Sequence, residues 1–218
     1  VEALLAATGT VGRAGSVTEG TTVCDSDPAS VKQQRSVALA CAPIVQDGIK
    51  VNLLDTPGYA DFVGELRAGL RAADAVLFVV SSVDGMDAAT AALWEECAAV
   101  GMPRAVVVSR CDHPRADVEA TVAACQDAFG AGVAPLYLPL RKGDGVTGLY
   151  GLISQTPEGA APPDADDARA TLLEGIIEQS EDETLMERYL GGEEIDTATL
   201  VDDLETAVAR GSFHPVVP

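Results

Sequence analysis

The chain has 218 residues, of which 47% are hydrophobic and only 4% aromatic, and its formal net charge is −20. A chain of this length buries one sizeable core, or a core with an attached subdomain, and this composition builds it from Ala, Val and Leu. So acidic a balance argues against the segment gripping nucleic acid by itself, because phosphate contacts need basic patches; an acidic surface suits basic protein partners instead.

No apolar run is long enough to span a bilayer, and the acidic Glu2 makes the start unlike a signal peptide, so no membrane role is expected. The five cysteines (Cys24, Cys41, Cys97, Cys111 and Cys125) are odd in number and show neither zinc spacing nor CxxC pairing. They read as reduced, mostly buried small hydrophobes of a cytoplasmic protein.

The chain opens in mid-helix, with Val1, Leu4 and Leu5 at helical spacing and Gly9 as the C-cap. Residues 10–30 are rich in Gly, Thr, Ser and Asp without periodicity and predict a long surface loop. Val37 to Val45 and Ile49 to Leu54 predict two strands around the turn Gln46-Asp47-Gly48. Phe62, Leu66 and Leu70 step by four and predict a helix. Ala75 to Val80 is an apolar run suited to a strand covered on both faces. Leu93, Cys97 and Val100 mark a helix, Ala105 to Val108 a strand, Val118 to Phe129 a helix and Val133 to Leu138 a strand. This alternation describes an α/β fold with a doubly wound, mostly parallel sheet. Residues 156–167 are a Pro/Ala/Asp-rich linker. Two helical patterns follow, Arg169 to Leu190 and Asp196 to Arg210, separated by Gly191-Gly192, and Phe213 to Val217 predicts a last strand.

Two segments carry chemistry. Asp55-Thr56-Pro57-Gly58 directly follows the apolar run Val51 to Leu54. A carboxylate at the carboxyl end of a strand can hold Mg²⁺, commonly through water, and a glycine just beyond lets a backbone N–H approach a γ-phosphate. Alone, these four letters are an ordinary turn; the strand before and the helix after favour the site. Ser109-Arg110-Cys111-Asp112 follows the next strand but one. A carboxylate there can accept from both N1–H and N2–H₂ of guanine, a pair adenine does not offer, and the stem of Arg110 could lie over the base. Without the first segment, Asp112 reads equally well as a helix cap or turn residue.

The ordered series resembles the guanine-nucleotide-binding domain of translational GTPases. DTPGYADF and VVSRCDHPRAD stand where the second and third nucleotide motifs of that family stand. Gly85-Met86-Asp87-Ala88-Ala89-Thr90 resembles the G-V-x-x-x-T segment of elongation factor G, and Leu185 to Glu194 resembles the L-M-E-K-Y-L-G-G-E-E stretch of its G′ insertion. Thr21, Thr22 and Asp25 through Arg35 look like switch I. The likeness covers essentially the whole chain and leans toward the elongation factor G-like branch that includes ribosomal protection proteins.

The resemblance implies a P-loop GTPase core over residues 1–149, a G′ insertion over 150–212 and the start of the last core strand at 213–218. It implies GTP or GDP and Mg²⁺ in the intact protein, with Asp55, Thr56, Pro57, Gly58, Ser109, Arg110 and Asp112 at the nucleotide. It also implies a ribosomal partner met through the acidic G′ region. The family's G-x-x-x-x-G-K-T loop and first strand are expected just before Val1, between the strands ending at Leu54 and starting at Ala75. The last guanine motif is expected just after Pro218. The chain is therefore expected to be cut from a longer protein and to bind nucleotide weakly, if at all, by itself.

Three positions depart from the family. Tyr59 stands where histidine usually positions the attacking water; a phenol is a poor base at neutral pH, although it can orient water. The switch I sequence R-G-I-T appears as Arg35-Ser36-Val37-Ala38, so the Mg²⁺-seeking hydroxyl is absent. N-K-x-D is relaxed to Ser109 through Asp112. These departures point to a GTPase with weak hydrolysis. The alternatives are a regulatory factor that uses GTP as a switch without turnover and, for the segment alone, a nucleotide-free scaffold.

Overall fold

The computed structural model describes residues 1–130, 132–143 and 145–218. It divides into two compact units, Val1–Ala73 and Asp74–Pro218.

In the first unit, helix α1 (Glu2–Ala7) ends at Thr8, and Gly9 turns the chain with φ +70°. The Glu2 carboxylate accepts from the Gly15 and Val23 backbone N–H groups at 3.0 and 2.8 Å, which pins the following loop to α1. That loop stops earlier than its composition predicts, because residues Pro28–Gln33 form helix α2. Asp27 caps it by accepting from the Ala29 and Ser30 N–H groups, and Pro28 occupies the first turn, where a missing N–H costs nothing. Strands β1 (Ala40–Gln46) and β2 (Ile49–Asp55) form an antiparallel hairpin in register from Gln46↔Ile49 to Ala40↔Asp55. Asp47 (φ 51°) and Gly48 (φ 79°) make its two-residue turn, as expected of an Asp-Gly pair. β1 starts at Ala40 rather than Val37, where its pairing with Asp55 begins. A 3₁₀ turn (Ala60–Phe62) leads into helix α3 (Val63–Ala72). Leu5, Ala42 and Ile44 are the buried centre of this unit, with Val11, Cys24 and Leu53 against them.

The second unit holds a four-stranded parallel sheet in the order β3 (Val76–Ser81), β4 (Arg104–Ser109), β8 (His214–Val217), β5 (Val133–Pro135). Helices α4 (Ala88–Ala98) and α5 (Val118–Phe129) connect its early strands. Asp87 caps α4 through the Thr90 N–H at 2.7 Å, and Asp117 caps α5 through the Ala120 N–H at 2.9 Å. The predicted strand over 133–138 is two elements: β5 ends at Pro135, and Tyr137–Lys142 (β6) turns out to pair antiparallel with Gly145–Gly151 (β7). Likewise the helical pattern over 169–190 is α6 (Ala165–Glu178) and a separate α7 (Leu185–Leu190), followed by α8 (Thr197–Ala209). α6 begins inside the predicted linker. Val100 lies beyond α4 and is exposed, so it is no part of that helix's buried face.

The buried core is built mostly from Leu, Val and Ala, as the composition predicts, and it includes one cluster of aromatic rings. Trp94 stacks on Phe129 with centroids 4.0 Å apart, Phe78 lies tilted against both, and His214 meets the Trp94 ring edge-on at 4.7 Å. A second cluster joins Leu152, Leu172, Ile176, Leu185, Leu200 and Phe213 under the helices α6, α7 and α8. All five cysteines are free, but only Cys97 and Cys125 are buried; Cys41 is exposed.

Arg104 is buried beside these rings. It donates to the carbonyls of Trp94 (3.1 Å) and Gly211 (3.2 Å), and its guanidinium lies 4.6 Å from the Trp94 ring centre. His214 Nε2 is 3.4 Å from the same guanidinium, and His214 Nδ1 is buried without a partner among the described residues. Burial, then the Arg104 charge, pull the His214 pKa from 6.5 to about 4. A histidine with a depressed folded pKa takes up its proton more readily when unfolded. Its neutral form therefore supports stability fully above pH 6.5, and that support falls away as pH drops from 6.5 toward 4. The expected loss across this window is on the order of 3 kcal/mol. Denaturant unfolding at pH 7 and pH 4.5 should show this slope, and His214→Gln, which keeps an acceptor but does not titrate there, should flatten it.

Candidate functional site

Asp55 to Tyr59 belong to the first unit and Ser109 to Asp112 to the second. Asp55 is the last residue of β2 and is half-buried. Burial raises its carboxyl pKa above the ordinary value. Asp25 and Glu2 raise it further, while a hydrogen bond from the Cys24 thiol lowers it. The Cys24 thiol is correspondingly pushed up to about 12, by burial first and then by Asp55, which makes it inert as a nucleophile. Asp25 is itself buried and accepts from the Ser36 hydroxyl at 2.9 Å. Asp55 thus sits desolvated among acids, an arrangement that a cation relieves.

The turn after Asp55 is held from below and open above. Pro57 is buried. Thr56 lies against Gly69 of α3, where an added Cβ would meet the Thr56 Cγ2 at 2.8 Å and the Leu39 Cδ1 at 3.3 Å. A side chain at Gly58, by contrast, would meet nothing within 4 Å, and the residue is exposed. Tyr59 is 53% exposed and begins the 3₁₀ turn, accepting from the Phe62 N–H at 2.9 Å.

The switch-like residues are not all equivalent. Thr22 is buried, and its Oγ1 accepts from the Asp25 N–H at 3.1 Å, so it shapes the loop. Thr21 is exposed and accepts from the Ser16 N–H at 2.9 Å. Ala38 is exposed. Arg35 lies over the Tyr59 ring, 4.3 Å from its centre.

In the second unit, Ser109 ends β4, and its carbonyl accepts from both the N–H and the hydroxyl of Ser82, which fixes the end of β4 to the end of β3. Arg110 has φ 60° and donates to Asp84 at 2.6 Å, so its charge is engaged across the strand ends. The Cys111 thiol turns inward to the Val108 carbonyl at 3.1 Å, and Asp112 is exposed. Sequence reasoning missed Cys24, Glu2 and Ser36 around the acidic pair, and Asp84 as the partner of Arg110. None of them carries a local signal, because each contact joins segments remote in sequence. The Gly85 to Thr90 segment proves to be the capped start of α4. Among the described residues no group of three or more His, Cys, Asp and Glu side chains forms a metal-holding cluster.

The family profile of the elongation factor Tu GTP binding domain matches residues 1–218. The chain is 58% identical, over 231 aligned positions, to elongation factor G-like proteins of Mycobacterium tuberculosis strains CDC 1551 / Oshkosh and ATCC 25618 / H37Rv. All of this chain and 32% of each of those proteins is covered. It also superposes on a crystal structure of a Thermus thermophilus protein with a TM-score of 0.87 and 37% identity, over 99% of this chain and 34% of that one. The chain thus spans about a third of the length of these relatives.

The environment of Asp55 makes a stability prediction. A carboxylate whose folded pKa is raised destabilises the fold at neutral pH, so removing its charge relieves a cost. Asp55→Asn is expected to hold or raise the thermal midpoint at pH 7 in Mg²⁺-free, nucleotide-free buffer. A clear fall would mean that the carboxylate has a stabilising partner.

Proposed function

The chain belongs to the elongation factor Tu GTP binding domain family, and we propose that the protein carrying it is a ribosome-associated, elongation factor G-like GTPase acting in translation with weak hydrolysis. One observation carries the qualification. The position after the open Gly58 turn holds a phenol stacked under a guanidinium, and the position of the Mg²⁺-seeking hydroxyl holds the exposed Ala38.

The remaining roles follow from the chemistry of each group. Asp55, desolvated beside Asp25 and Glu2, suits a Mg²⁺ ion held through water. When bound, that ion neutralises charge building on the phosphate oxygens. Gly58, with open space over its Cα, offers its N–H to a γ-phosphate, while Thr56 and Pro57 set the turn against α3. Asp112 accepts from guanine N1–H and N2–H₂. The left-handed Arg110 and the doubly bonded Ser109 carbonyl hold the strand end that presents it. Thr21, Thr22 and Arg35 belong to the switch I-like segment. GTP or GDP is the ligand of the intact protein, and the cytoplasm, where ribosomes work, is its compartment.

Residues 1–149 act as the GTPase core, 150–212 as the G′ insertion and 213–218 as the start of the last core strand. The G′ helices expose Glu174, Glu178, Glu181, Asp182, Glu183, Glu187, Glu193 and Glu194. Two of these are matched internally, Glu193 by Arg188 and Glu181 by Arg210. The others are exposed, an acidic surface suited to a basic ribosomal protein. The second reading, a factor that uses GTP as a switch without turnover, draws on the same Tyr59 and Ala38.

Phosphate release on ribosomes, measured for wild type, Tyr59→His, Ala38→Thr and the double variant of the full-length protein, separates these readings. Slow wild-type release and a gain on the order of 10² or more with histidine at position 59 support the weak-GTPase reading. A gain confined to the double variant places the defect in switch closure. Wild-type turnover equal to that of a histidine-bearing elongation factor assayed alongside overturns the assignment of Tyr59. For the partner surface, reversing Glu174, Glu178 and Glu183 together is expected to weaken ribosome binding about fivefold or more at low salt, mainly through the association rate. Binding indifferent to the reversal would make this an ordinary solvated face.

A further inference from the structure

Residues 35–39 are fastened to the segment 56–69 by side-chain and backbone contacts of the protein itself. The Arg35 guanidinium lies 4.3 Å from the centre of the Tyr59 ring. It is held in that orientation because Gln33 Oε1 accepts from both its Nε and an NH2 group, at 3.0 and 2.9 Å. Gln34, in the left-handed region with φ 53°, ends α2 and turns the chain, and the Arg35 N–H closes that turn on the Ser30 carbonyl at 3.2 Å. Further along, the Leu39 N–H donates to Glu65 at 2.9 Å, and the Leu39 side chain packs where Thr56 meets Gly69.

A planar guanidinium over an aromatic face is attracted by the negative potential of the ring, and a phenol provides a larger face than an imidazole, which also loses the attraction once protonated. The residue that departs from histidine at position 59 is thus also the one that makes this stack. We infer that Arg35 is the positioning residue for Tyr59, and that their stack is a clasp holding the 35–39 segment on the 59–69 segment without any nucleotide. The inference rests on the proposed GTPase reading for its meaning, since that reading makes these two segments the switches. Its geometry stands apart from turnover. The clasp supplies by protein contact part of the hold that a hydroxyl at position 38 would supply through a bound ion.

Trypsin reads the clasp directly, because it cuts after Arg35 only when that side chain leaves the ring. Cleavage of the full-length protein without nucleotide is followed by mass spectrometry at Arg35, with Arg13 and Arg71 as internal references. Proteolysis of this kind tracks the population of the open form when opening is fast. Tyr59→Ala is expected to raise the rate after Arg35 about threefold to tenfold, while Tyr59→Phe, which keeps the ring, stays near wild type. No change with Tyr59→Ala overturns the clasp, as does Tyr59→Phe behaving like alanine. An equal rise at Arg13 and Arg71 also overturns it, because the loss would then be general loosening. Phosphate release on ribosomes is measured separately on the same proteins. Robust release with the clasp intact defeats the weak-GTPase reading alone, and an absent clasp with slow release defeats this inference alone.

Discussion

The second unit is organised around a buried positive charge whose hydrogen-bond partners are not carboxylates. Arg104 begins β4 and reaches the carbonyls of Trp94 in α4 and Gly211 after α8, with the indole face beneath it and His214 of β8 beside it. A guanidinium tolerates this because it spreads its charge and is weakly hydrated. Removing any one partner leaves a desolvated donor, which costs more than the bond contributed. The arrangement therefore fixes several elements at once. It sets the end of α4 against the start of β4, and it brings the returning chain after α8 to the edge where β8 slots between β4 and β5. His214 must stay neutral for this to hold, since a second cation there would have nothing to offset it. The other end of β4, with Ser109 and Asp112, is positioned as a consequence.

The first unit solves the opposite problem. Its carboxylates Glu2, Asp25 and Asp55 crowd together, and the protein has spent hydrogen bonds on them from backbone N–H groups, a serine hydroxyl and a thiol. Glu2 and Asp25 gain structural work in return, since each ties loop to helix or loop to loop. Asp55 does not: its burial raises the cost of its own charge. A group kept ionisable at a cost, at the end of a strand and before an open glycine turn, is the pattern expected where function rather than folding sets the residue.

Much of this was legible in the sequence, for reasons that also explain what was not. The Asp47-Gly48 hairpin, the Asp55–Gly58 turn and the strands β3 and β4 follow from local chemistry: apolar runs bounded by residues with special backbone freedom. The run 133–138 is continuous in hydropathy. The chain leaves the parallel sheet within it, where Leu136 donates to Val216 and Tyr137 begins pairing with Gly151, a choice made by tertiary partners. The break between α6 and α7 has no Gly or Pro. Ser180 and Asp182 make it by capturing backbone N–H groups of Asp182 and Thr184, a competition with the helix that composition understates. The Asp27-Pro28 pair that starts α2 was a readable signal lost in the polarity of its surroundings. The contacts Arg35–Tyr59 and Cys24–Asp55 leave no trace in periodicity, because each joins residues more than twenty positions apart.

Two of the site's departures, at Ala38 and Tyr59, bear on how residues 35–39 meet the turn after Asp55. A ligand shifts a conformational equilibrium only by the difference in its affinity for the two states. Removing the hydroxyl at position 38 removes one contact that GTP and its metal ion would make only in the closed state. The Arg35–Tyr59 stack and the Leu39–Glu65 bond hold residues 35–39 without any nucleotide. On the proposed reading both features would shrink the difference between nucleotide-bound and free protein, and neither involves Gly58 or Asp112, whose proposed tasks are binding and recognition. Such a protein would, on that reading, keep groups suited to holding GTP while losing leverage over its own switch. The ring that makes the clasp also occupies, on the same proposed reading, the position from which histidine would orient water.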